Sequence, residues 1–199
     1  NGTPDRTRAA VVNAPKDVDG FSARSDAERA VWNQTVGFYA TGLSKKDAIF
    51  DKDLSDLTGI LARARDDSDL AGLGLDPALV DTLRKAAPVY RSVWWARHSA
   101  RNEERRKDFQ AAVDAHGRQA VTRLTALYDT TWPAMPRVID TAAYSNWAGA
   151  YSVTGGVIVM ASMPADLGGP IGLEMLLHES SHQWDDEIDR RLAAIAAKQ

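Results

Sequence analysis

The chain has no cysteine among its 199 residues. Disulfides and thiolate metal ligands are thereby excluded, so any metal site must be assembled from histidine, carboxylate and water. Positive charge is not in excess: the formal net charge is −3, which offers no basic field for nucleic acid or anionic lipid. No apolar run approaches the ~20 residues needed to span a bilayer. Histidine is scarce, with four in all, and two of the four fall within the five residues 178–182.

What is present is ordinary globular material: 44% hydrophobic and 26% charged residues. The length suits one domain with a substantial core, or at most two small ones. The chain opens on Asn1-Gly2-Thr3-Pro4, without methionine or an apolar leader. A chain trimmed behind a signal peptide looks like this, as does a tag scar, and the expected location is periplasmic or secreted.

Three regions are expected. Residues 1–24 are polar and punctuated by Pro4, Pro15 and Gly20, and form an arm. Residues 25–132 form a helical region. It starts at Ser25, where Glu28 completes a capping box, and Val31, Trp32, Thr35, Phe38 and Tyr39 supply its first apolar stripe. Shorter helices are expected at 44–50 and 54–65, and a further start at Asp76-Pro77. Helix then continues to Tyr128, with a bend at Pro88 and an end at His116-Gly117. The mixed charges of Arg101 to Lys107 suit a solvated helix face. Residues 133–199 form a small sheet and a last helix. The β-branched runs 137–142 and 156–161 are its strands, and Pro170 opens the helix. The expected fold class is α+β, mainly α, with the last region packed on the helical one as a single domain.

The last helix carries His178-Glu179-Ser180-Ser181-His182. Residues four apart in a helix lie roughly 40° apart around the axis and ~6 Å apart along it. His178 and His182 therefore project together and can grip one zinc ion at ~2.0–2.1 Å per nitrogen. Glu179 lies about 100° round. That suits a general base, which takes a proton from the attacking water and passes it to a leaving amine. Such a five-residue pattern also arises by chance on amphipathic helices. Against chance, Leu173, Leu176, Leu177, Trp184, Ile188, Leu192 and Ile195 make one apolar stripe and the histidines stand off it. Ser180, Ser181 and Gln183 are uncharged and do not compete for the ion.

The stretch Leu176-Leu177-His178-Glu179-Ser180-Ser181-His182-Gln183-Trp184 resembles the extended signature of the zincin metallopeptidases. The resemblance covers about the last 65 residues. It implies a zincin-like arrangement, Zn2+ held by His178 and His182, Glu179 as general base, and a peptide or protein substrate. It also implies an edge strand before the helix that binds substrate main chain, here Gly156, Val157, Ile158 and Val159.

A catalytic zinc normally has three protein ligands. The metzincin continuation needs glycine and histidine at 185 and 188, where the chain has Asp185 and Ile188, and deformylases need a cysteine. Both branches are excluded. Asp185 lies ~7.5 Å beyond the midpoint of the histidine pair on a straight helix, so it and Asp189 suit surface acids, one of them bonded to an imidazole. Gluzincins take the third ligand from a glutamate twenty or more residues on. The chain ends 17 residues after His182, and the expectation is that the sequence is truncated and the ligand absent with it. His98, beside Trp94 and Trp95, suits a packed histidine. His116 suits a helix C-terminus. Tyr144, Trp147 and Tyr151 suit the core rather than a cleft wall, Asn146 a turn, and Trp32, Trp94, Trp95 and Trp132 packing. The readings that compete with a peptidase are a non-catalytic extracytoplasmic binding module with a vestigial motif, and a zinc hydrolase of non-peptide amides.

Overall fold

The computed structural model describes residues 21–47, 50–65, 69–132, 138–145, 149–153, 156–164 and 167–197. Most of the expected arm, and Asn146 and Trp147, lie outside these. The described chain is mainly helical with one three-stranded sheet, as the α+β, mainly α expectation requires.

The caps decide where the helices begin. Helix α1, Asp26–Thr41, starts on the Ser25 and Glu28 capping box, with both reciprocal bonds made. Helix α2, Lys52–Leu61, is capped by Asp51, whose carboxylate accepts the Leu54 N–H. Among the described residues of the expected helix 44–50, the 3-10 turn Leu43–Lys45 is the helical element. Helix α3, Pro77–Tyr90, starts on Asp76 with proline in its first turn.

The expected interruptions do not end the helix. Pro88 lies inside α3, and the widened π turn Arg91–Trp95 follows it directly and leads into α4, Ala96–Ala112. A second π turn, Val113–Gly117, continues into α5, Arg118–Leu127. Gly117 is therefore not a helix end. Its backbone is helical, and the Cβ it lacks would lie 3.2 Å from Val113 Cγ1, so close packing accounts for the glycine.

Strands β1, Val138–Ala142, and β3, Val157–Ala161, fall where the β-branched runs predict. Strand β2, Ala150–Val153, arises inside the aromatic stretch expected to join them. The order is β1-β3-β2, with β1 parallel and β2 antiparallel to β3. β3 is thus the central strand, and Val157, Ile158 and Met160 are fully buried. Alternate residues face opposite layers. Ala150, Ile158 and Met160 pack with Phe109 of α4 and Leu176, while Val153, Val157 and Val159 pack with Ala62, Ala142 and Tyr151. Burying each large apolar side chain contributes about 1.5–3 kcal/mol, so the helical region and the sheet hold one another through Phe109.

The loop from β3 to the site helix is tied to α4. Arg101 Nε donates to the Ser162 carbonyl at 2.9 Å, and Arg105 donates to the Pro164 carbonyl at 2.6 Å. Arg105 is 1% exposed, which corrects the expectation of a wholly solvated charged face. The other charges there do pair at the surface, as Arg106 does with Glu103. Trp94 is buried against Trp32, but Trp95 is half exposed and not a core residue.

The last apolar stripe is broken. Helix α6, Gly169–Ser181, ends at the motif, a 3-10 turn spans His182–Trp184, and α7, Asp185–Ala196, follows. Leu192 and Ile195 are exposed, so the single continuous buried stripe through residue 195 is not realised. No helix among the described residues is long and apolar enough to cross a membrane.

Candidate metal centre

The last turn of α6 presents His178 and Glu179, and His182 begins the 3-10 turn after it. Both imidazoles are exposed while Glu179 is buried. The two rings lie 5.0 Å apart, nearly perpendicular. One ligand atom from each of His178, Glu179 and His182 lies within 4.8 Å of the others. Two nitrogens on one tetrahedral zinc sit about 3.3 Å apart, and the three ligand atoms are near enough to one another that they could hold a metal ion. The donor set, two imidazole nitrogens and a carboxylate, is of a kind that could hold a divalent cation.

Neighbours orient two of the three groups. Asp185 Oδ2 accepts the Nδ1–H of His182 at 2.9 Å. That leaves Nε2 as the lone-pair nitrogen, and it faces Glu179 Oε2 at 4.0 Å. The bond matches the expectation that one of the two acids holds an imidazole rather than the ion. Ser152 of β2 donates to the Glu179 carbonyl at 2.7 Å and to its Oε2 at 3.0 Å. Its hydroxyl thus ties the carboxylate to the sheet. Among the described residues no other group engages Oε1.

No protein-family model matches this chain, and no curated protein or solved structure matches it either.

The other candidates fall elsewhere. His98 is buried on α4, with Tyr90 Oη 3.0 Å from its Nδ1 and the Tyr144 ring edge-on at 5.8 Å. It is the packed histidine that its tryptophan neighbours predict. His116 is exposed in the second π turn, not at a helix end. Among the described residues neither joins the metal-type group. Tyr151 packs with the valines of the sheet and Trp132 lies edge-on to Trp184 at 5.5 Å, both as core expectations require.

Gly156, Val157, Ile158 and Val159 do not form a substrate edge. β3 is hydrogen-bonded on both sides, to β1 and to β2, and Gly156 O accepts the Val138 N–H. Their main chain is already occupied. An uninterrupted apolar run marks a strand buried on both faces, which is a central position. The edge strand beside α6 is β2, with Ser152 on it. The sequence carries little signal for it, since Ala150, Tyr151 and Val153 are apolar and Ser152 alone breaks the run.

Proposed function

We propose that this chain is a zinc-dependent hydrolase of peptide bonds, with a zincin-like site. The observation that carries the proposal is the convergence of His178, Glu179 and His182 within 4.8 Å, with both rings accessible and the carboxylate held from behind. His178 and His182 would hold the ion, His182 through Nε2 because Asp185 occupies Nδ1. When bound, zinc lowers the pKa of a water towards ~7 and polarises a carbonyl.

The remaining chemistry belongs to the protein. Glu179 takes one proton of the attacking water and returns it to the amine nitrogen as the C–N bond breaks. Ser152 restrains Oε2 and so holds in place the carboxylate that would carry this proton. The described residues supply two nitrogen ligands and one carboxylate, and the proposal assigns no third protein ligand among them. Among the described residues β2 is an edge strand of the sheet, and such an edge can receive an extended peptide.

The test is zinc content by atomic emission together with cleavage of a mixed peptide library followed by mass spectrometry. One zinc per chain and cutting of the library are expected, with Glu179→Gln retaining the metal and losing turnover. A wild-type chain that binds zinc and cuts no peptide overturns the peptidase reading.

A further inference from the structure

On the side of α6 away from Glu179, an open groove of about 630 Å³ separates α6 from α5. That size falls within the range of ligand sites, ~300–1,000 Å³. The two helices run the same way. Phe109, upstream of α5, packs at Gly172 near the start of α6, and Tyr128, just after α5, meets the Trp184 ring at 5.4 Å. Arg123 precedes Tyr128 by five residues and His178 precedes Trp184 by six. Arg123 of α5 and His178 of α6 line this same groove.

The floor is apolar, from Leu124, Leu173 and Leu177, and His178 itself lines the groove. The groove reaches the metal-type group at His178. Arg123 is exposed and has no ion pair or hydrogen bond among the described residues. Glu174 lines the same groove one helical turn before His178 and does not pair with it. An unsatisfied guanidinium beside an apolar floor favours a ligand that brings both an apolar body and a carboxylate. The groove continues past Arg123 to Tyr128 and past His178 to Ser181.

We propose that this groove seats an extended peptide segment, with an apolar side chain on Leu124, Leu173 and Leu177 and an acidic side chain on Arg123. The choice of a peptide rests on the hydrolase reading above. Arg123 then acts as a specificity determinant, and Glu174 disfavours a second acid one turn away. A charge-assisted contact of this kind is worth about tenfold in affinity at low ionic strength.

The test is fluorescence anisotropy of labelled peptides on the zinc-loaded Glu179→Gln protein, which is chosen to bind without cutting. Four peptides share one leucine-containing frame and carry Glu, Gln or Lys at the next position, or Gln with a free instead of an amidated C-terminus. The Glu peptide is expected to bind about tenfold tighter than its Lys twin. Arg123→Gln should erase that preference and Arg123→Glu should invert it, and both lie at an exposed position where folding is tolerant. Equal affinity for Glu and Lys peptides, an unchanged ranking in both variants, or tight binding that needs only the free C-terminus overturns the proposal. Cutting by the wild-type protein is scored separately. Charge preference without cutting removes the peptidase reading and leaves the groove, and cutting without charge preference does the reverse.

Discussion

The hydroxyl of Ser152 shares its proton between the carbonyl and the carboxylate of Glu179, at 2.7 and 3.0 Å. One side chain from the sheet edge thus fixes both the backbone of the site helix and the group proposed as its base. Ser152→Ala removes this restraint without altering the histidines. Turnover is expected to fall about tenfold with zinc affinity unchanged, at a stability cost of ~1 kcal/mol. Ser152→Thr, which keeps the hydroxyl, should restore most of the rate. Equal kcat for wild type and Ser152→Ala would remove this role.

In the proposed site Asp185 would act on a metal only through His182. Asp185→Asn is expected to weaken zinc binding by about 10–100-fold in competition with a chelator. Because Asp185 is exposed, the thermal transition of the metal-free protein should move little. A variant that binds zinc as tightly as wild type shows that the 2.9 Å contact is incidental.

The buried guanidinium of Arg105 holds the Ser162–Pro164 turn that leads to the site helix. Arg105→Ala leaves the Pro164 carbonyl without its Arg105 donor while Arg101 still serves Ser162, and about 3 kcal/mol of stability should be lost in urea denaturation. Arg105→Lys should recover only part of it, since an ammonium cannot reproduce the planar fork. Full recovery by lysine would mean that charge alone is required.

Two helical glycines should respond in opposite directions to alanine. Nothing lies within 4 Å of a Cβ added at Gly37 in α1, so Gly37→Ala should stabilise by about 0.5–1 kcal/mol through helix propensity. At Gly172 in α6 the added carbon would meet the Leu167 carbonyl at 2.5 Å and the Phe109 ring at 2.6 Å. Overpacking there costs about 1–3 kcal/mol and exceeds the propensity gain. Denaturation midpoints that move the same way for both variants contradict this packing.

Burial, with a smaller contribution from the charge of Arg97, holds the His98 imidazole below its ordinary 6.5. The unfolded chain therefore binds more protons than the folded one just under that pH. The contribution of neutral His98 to stability is complete above about 6.5 and is lost as the pH falls towards the folded value. Denaturation midpoints recorded from pH 7.5 to 5 should decline for wild type. The decline should be shallower for His98→Gln, and identical slopes would show that other groups govern it.

What the sequence determined by itself was whatever three or four neighbouring residues decide. Ser25 with Glu28 and Asp76 with Pro77 set helix starts because a cap satisfies amides within its own first turn. His178 and His182 come together because one helical turn separates them. Pairing across the fold was the part that only tertiary structure settled. An apolar run shows that β3 is buried, yet nothing local to it shows that both its edges are occupied. Arg105 looks like its charged neighbours until the turn at 162–164 docks on α4 and closes water away from it. The bond from Ser152 to Glu179 and the groove shared by Arg123 and His178 join residues far apart in the chain. Their proximity is set by the packing of α4, α5 and the sheet around α6, which no local pattern encodes.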